Sequence, residues 1–157
     1  MKKVALLMGN RLSQWHTGVF ESLRSAYDIR AFAPPSNLFD MRGIKLPVEP
    51  IYYEGEAGPW ISRKWTHAKY RALHKLGYNM RLAGFTSRLK GYDIIHTWEL
   101  YTEWSFQAAL AKERFGNKLL VTVWDTIPFN VEKDRGVKAR KVRVLSAADG
   151  YVVYSDK

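Results

Sequence analysis

Apolar residues along this chain fall into two alternating rhythms. Short runs dense in β-branched and aliphatic residues come first: Lys3–Met8 (KVALLM) opens the chain, and Asp28–Ala33 (DIRAFA) follows, halted by Pro34-Pro35. Lys45–Glu54 holds Pro47 and Pro50, so it reads as an extended or edge segment, because proline has no donor for a central ladder. Asp93–Thr97 (DIIHT), Lys118–Trp124 (KLLVTVW) and Gly150–Ser155 (GYVVYS) complete the strand set. Between these runs the spacing changes to three and four. Val19, Phe20, Leu23, Ala26 and Tyr27 follow Thr17-Gly18 in that rhythm. Trp104, Ala108, Ala111 and Phe115 keep it up to Gly116, and Val137, Val144, Leu145 and Ala148 up to Gly150. The longest such pattern runs from Trp60 to Ala83, with Ile61, Trp65, Ala68, Ala72, Leu76, Met80 and Ala83 on one stripe. Gly77 weakens it by about 1 kcal/mol relative to alanine.

Buried-type strands alternating with amphipathic helices predict an α/β fold: a Rossmann-like parallel sheet with helices on both faces. Ligands of such sheets lie outside the carboxyl ends of the strands. The residues at those ends are Gly9-Asn10, His96-Thr97-Trp98-Glu99, Trp124-Asp125 and Ser155-Asp156, a collection of polar and aromatic side chains on one edge.

Length and composition fit one soluble globular domain, and no apolar run approaches the roughly 20 residues that cross a bilayer. MKKVALLMGN lacks the apolar length and small-residue cleavage site of a signal peptide, and reads as the first strand. The absence of cysteine excludes disulfides and thiolate metal sites and fits a cytoplasmic protein. The net charge of +10 is concentrated in two places. Residues 57–92 carry Arg63, Lys64, Lys69, Arg71, Lys75, Arg81, Arg88 and Lys90 with no acid, and Lys133–Arg143 adds a second basic tract. There is no nucleophile-elbow constellation, no HExxH, and no GxGxxG or Walker pattern.

The succession YDIIHTWELYT, QAALA, KLLVTVWDTIPF and RVLSAADGYVVYS resembles the N-terminal domain of family-4 glycosyltransferases of the GT-B fold. Trp15-His16-Thr17-Gly18, ahead of a helix, is similar to that family's loop after its first strand. The likeness covers nearly the whole chain, loosely between Pro34 and Lys90. It implies a single Rossmann-like domain over residues 1–157 whose role is to hold the acceptor. A donor-binding domain outside this chain would take the nucleotide-sugar and carry the family's paired-glutamate motif. Transfer in that family usually retains anomeric configuration without a metal. The resemblance therefore implies no cofactor on this half and no turnover by it alone.

The resemblance also points to site residues. Trp124 and Asp125 stand where the family commonly has a histidine near the donor sugar. An indole accepts no proton, but it stacks on a sugar face and donates one hydrogen bond, while the carboxylate accepts from a hydroxyl. Trp15, His16, Thr17, Gly18, His96 and Glu99 are the implied acceptor and cleft residues. Plainer roles stand beside these. Trp124-Asp125 can cap a strand and open a turn before Ile127-Pro128. His96 can be a satisfied core histidine, Glu99 can favour the following helix through its dipole, and Gly18 can simply permit tight packing. On the long basic helix, Arg63, Lys64, Lys69, Arg71 and Lys75 suit an anionic membrane surface, where lipid-linked acceptors reside. The same bases, interleaved with Trp60, Trp65, Tyr70 and Tyr78, suit nucleic acid, though no recognised nucleic-acid motif accompanies them. Solvation of the outer face of a packed helix is the ordinary alternative.

Overall fold

In the computed structural model, residues 1–54, 72, 81–124 and 136–153 are described. Their strands are β1 (Lys2–Leu7), β2 (Tyr27–Ala33), β3 (Val48–Pro50), β4 (Ile94–Trp98), β5 (Lys118–Val123) and β6 (Gly150–Val153). Their helices are α1 (Gln14–Glu21), continued by a 3₁₀ turn over Ser22–Ser25, α2 (Phe85–Arg88), α3 (Glu103–Phe115) and α4 (Val137–Ala147). All the strand pairings are parallel, in a six-stranded sheet of order β3-β2-β1-β4-β5-β6. This is the Rossmann-like α/β architecture predicted from the pattern.

Alternation along the strands divides the core between the two faces. Ala5, Leu7, Phe32, Ile95, Leu119 and Val121 pack against α2, α3 and α4 through Phe85, Trp104, Ala108 and Val144. Val4, Leu6, Met8, Ile29 and Ala31 face the other way, toward Leu12, Phe20 and Leu46. Helices thus cover both sides, as parallel strands require.

The order of the strands reverses between β1 and β4, and that seam is tied at both ends. Lys3 N–H donates to the Asp93 carboxylate at 2.7 Å, and Asp93 N–H returns to Lys3 carbonyl at 3.0 Å. At the carboxyl end, Thr97 Oγ1 donates to the Leu7 carbonyl at 3.3 Å. Asp149 performs a similar service for β5, accepting Leu119 N–H at 2.8 Å as well as Lys112 and Lys118. These donors hold its carboxyl at about 2.

Three local predictions are corrected. Trp15-His16-Thr17-Gly18 is not a loop before a helix but lies inside α1, which begins at Gln14. That phase turns Thr17 and Phe20 inward and leaves Val19 and Leu23, expected on the buried stripe, exposed. The long helical pattern does not extend to Ala83. Glu54 N–H bonds Arg81 carbonyl at 2.7 Å and Ala83 N–H bonds Tyr52 carbonyl at 2.9 Å, an antiparallel bridge that buries Leu82. The segment Lys45–Glu54 is extended as expected: it joins the sheet over Val48–Pro50, at the edge where its prolines fit, and Tyr53 makes the bridge to Leu82. Most of the segment predicted as a basic helix, with Arg63, Lys64, Lys69, Arg71 and Lys75, lies outside the described residues, as do Asp125 and Ser155-Asp156.

Candidate functional site at the carboxyl edge

The carboxyl ends of β1, β4 and β5 meet beside the strand-order reversal, the position where an open α/β sheet offers a crevice. Glu99 follows β4. Its backbone is left-handed at φ 63°, a conformation that costs a side-chain-bearing residue about 1–2 kcal/mol. Three bonds hold it there. Glu99 N–H donates to Thr122 carbonyl at 2.9 Å, its carbonyl accepts from Ser105 Oγ, and its Oε1 accepts Trp124 N–H at 3.1 Å. The carboxylate takes the donor that would otherwise continue β5, which is why that strand ends at Val123 and not at Trp124.

Ser105 belongs to the first turn of α3. Its N–H caps onto Thr102 Oγ1 at 3.1 Å, and its hydroxyl meets Thr97 Oγ1 at 2.9 Å. The Thr102 cap fixes the start of α3, and the buried hydroxyls tie it to the end of β4. Glu99 therefore sits between a rigid helix start and the neighbouring strand end. Its side chain spans to Trp124 across the gap between them.

Trp124 stacks on His16, with ring centroids 5.4 Å apart and planes inclined by 21°. The indole remains 44% exposed, so it is not a buried structural aromatic. His16 is fixed from below by Ser13, whose Oγ lies 2.6 Å from Nδ1. Ser13 occupies the N-cap position of α1, yet its hydroxyl makes no cap bond and serves the imidazole three residues on. Burial lowers the His16 pKa below its usual value, keeping the ring neutral near pH 7. Phe39 lies beside it, with ring centroids 6.3 Å apart and planes inclined by 30°.

The remaining candidates separate from this cluster. Thr17 is buried, with its hydroxyl turned to the Ser13 and Gln14 carbonyls of its own helix. Gly18 is exposed, and a Cβ added there would meet nothing within 4 Å, so tight packing does not explain it. Trp15 points outward. His96 lies inside the fold, where Nε2 bonds Thr122 Oγ1 at 2.8 Å and the ring stacks on Trp98 at 4.4 Å with Phe20 edge-on. Burial takes its imidazole down to about 4. His16, Glu99 and Trp124 are therefore brought together, while Thr17 and His96 support the wall behind them. Ser13 and Phe39 join the cluster without having been singled out in the sequence. The Ser-x-x-His spacing at a helix start was the available signal for Ser13.

No protein-family model and no curated protein matches the sequence. Among solved structures, Acinetobacter baumannii MurG aligns over 100% of this chain and 42% of its own, with a TM-score of 0.54 and 11% identity. The chain thus spans less than half of MurG. Weaker likenesses are to MT0777, at TM-score 0.49 and 9% identity over 98% of this chain and 86% of that one, and to a Vibrio parahaemolyticus protein of unknown function. The latter aligns at TM-score 0.41 and 13% identity over 99% of this chain and 94% of its own. At such identities the likeness is one of fold.

Proposed function

We propose that this chain is the acceptor-binding half of a glycosyltransferase with GT-B architecture. MurG, a GT-B glycosyltransferase, supports a reading at the level of fold. The observation that carries the reading to a site is the His16–Trp124 stack clipped by Glu99 beside the strand-order reversal. The indole stacks on a neutral imidazole, and its exposed surface is the platform for a sugar ring in this reading. His16 keeps a second ring nitrogen for a substrate hydroxyl. Asp125, next in sequence, is assigned as acceptor for another. Trp15 and Gly18 flank the entry along α1.

In this reading the nucleotide-sugar is held by a second domain or subunit, transfer retains configuration, and residues 1–157 do not turn over alone. The test has two arms. The chain is incubated with a panel of nucleotide-sugars and release of nucleoside diphosphate is followed; none is expected, and robust turnover overturns the half-enzyme assignment. Simple glycosides are then screened by saturation-transfer NMR. Binding that disappears in Trp124→Ala supports the platform, and binding indifferent to that change removes it.

A further inference from the structure

Helices α3 and α4 pack side by side on one face of the sheet, and a groove of about 1160 Å³ opens beside them. Among the described residues its lining is mixed. Phe106 and Val142 are apolar, Glu54 and Glu103 acidic, Arg81 and Arg140 basic, and none belongs to the His16–Glu99–Trp124 cluster. Two arginine–glutamate pairs bridge the helices, and burial acts on them in the reverse of the expected sense. Arg143 and Glu113, each nearly half exposed, form a two-point bond, with Nε donating to Oε1 at 3.1 Å and Nη2 to Oε2. Arg140 and Glu103, each only 13% exposed, stand 3.7 Å apart at Nη1 and Oε2, outside hydrogen-bond distance. A buried pair offsets its desolvation only through direct, well-aligned bonds, so the less hydrated pair should be the tighter one.

Glu103 is held in that position from behind. Gln107 Nε2 donates to its Oε1 at 3.0 Å and to the Leu82 carbonyl at 3.3 Å, while Gln107 Oε1 accepts from the Thr86 N–H and hydroxyl at 3.2 and 3.1 Å. Oε2 is left facing Arg140 across the gap. Burial raises the Glu103 pKa despite the Gln107 bond and the charges of Arg140 and Arg81, so the carboxylate is under-solvated where it stands. Charge then selects what fits. An anion would meet Glu54 and Glu103, and a cation would meet Arg81 and Arg140. A molecule with one charge of each sign answers both. Its α-ammonium donates to Oε2 while the adjacent α-carboxylate takes the guanidinium, whose five donors accommodate this beside the other bonds Arg140 makes. Phe106 and Val142 give the side chain an apolar bed. We propose that the α3–α4 groove is a binding site for a free α-amino acid with an apolar side chain. The site lies outside the candidate transfer site and is independent of the transfer reading.

The experiment is titration calorimetry on the intact chain with L-leucine and L-phenylalanine. At least one should bind. The N-acetyl and C-amide forms of that amino acid, each lacking one charge, should bind at least about tenfold more weakly, as loss of a charge-assisted bond requires. Glu103→Gln and Arg140→Met should weaken binding to a similar degree. Ala139→Trp tests the place without altering either charge: Ala139 lines the groove and is exposed, so the indole fills the space without entering the core. Binding should be abolished in that variant with the melting temperature unchanged, and Trp124→Ala should leave it intact. Failure of the wild-type chain to bind either amino acid overturns the proposal. Equal binding of the blocked forms also overturns it, reducing the groove to an apolar crevice. Binding that survives Ala139→Trp, or that is lost in Trp124→Ala, overturns the location and moves the ligand elsewhere.

Discussion

Glu99 couples a strained backbone to the placement of an aromatic ring, and the two roles can be separated by substitution. The left-handed conformation at φ 63° costs about 1–2 kcal/mol for any residue with a Cβ and nothing for glycine. The bond from Trp124 N–H to the carboxylate, 3.1 Å long and open to solvent, contributes about 1 kcal/mol, the low end for a charged acceptor. Glu99→Ala keeps the strain and loses the bond, so it should destabilise by about 1 kcal/mol, roughly 2–4 °C in Tm for a chain of this size. Glu99→Gly loses the same bond but relieves the strain, less about 0.5–1 kcal/mol for the freer unfolded chain. It should be more stable than the alanine variant by about 0.5–1 kcal/mol. Both should release Trp124 from His16. A protonated imidazole quenches an indole stacked on it, so the fluorescence difference between the protein and its Trp124→Phe variant should fall as His16 titrates. The titration should lie below the ordinary 6.5, because burial lowers its pKa. That step is expected to vanish in both Glu99 variants. An alanine variant as stable as the glycine one would show that position 99 stores no strain. A step surviving in both would show that the carboxylate does not set the ring.

His96 predicts a pH dependence of stability. Its folded pKa of about 4 lies below the ordinary 6.5, so the unfolded chain binds the extra proton between those values and stability falls as pH drops through that window. The loss is about 2 kcal/mol between pH 7 and 5, measurable by urea unfolding, and His96→Gln should flatten the slope. Asp40 and Asp149, both held at about 2, act only at lower pH. Trp124→Ala should cost about 1–2 kcal/mol of stability, well short of the ~3–5 for a buried aromatic. If the proposed transferase reading holds, the same change should cut kcat/KM for transfer by the two-domain enzyme about 100-fold. Gly116→Ala should cost about 1 kcal/mol in thermal unfolding. Gly116 closes α3 at φ 76°, and an added Cβ meets nothing within 4 Å, so the whole loss is backbone strain.

The parallel strands were legible because strands buried on two faces need near-continuous apolar runs, and VALLM, DIIH and LLVTV are such runs. The phase of α1 was not. Val19, Phe20 and Leu23 satisfy a three-four rhythm, but Thr17 takes the buried position by bonding its hydroxyl to its own helix. A polar residue that satisfies itself locally is invisible to a hydrophobic pattern. The bridge at Arg81–Ala83 is a tertiary pairing with Tyr52–Glu54 and overrides local helical spacing. At the site, the sequence placed Glu99 and Trp124 at strand ends and His16 in the loop after the first strand, without showing that they meet. Their meeting depends on Glu99 adopting a conformation that nothing in its neighbours announces. His96 looked equally suited to cleft or core, and only the Thr122 bond and the Trp98 stack decide its place.

The seam between β1 and β4 joins partners far apart in sequence: Val4 lies beside Ile94 and Leu7 beside Thr97, whereas β1 finds β2 and β4 finds β5 after much shorter excursions. Closing that seam is the largest loop closure in the sheet, and its entropy must be met before its contacts form. The two flanking sub-sheets can therefore assemble from nearer neighbours while the middle is still open. His16 belongs to one side and Glu99 and Trp124 to the other, so the aromatic stack comes into existence only when the seam shuts. During refolding, the His16-dependent quenching of Trp124 should consequently lag behind far-ultraviolet ellipticity, making the site itself a clock for the final step of assembly.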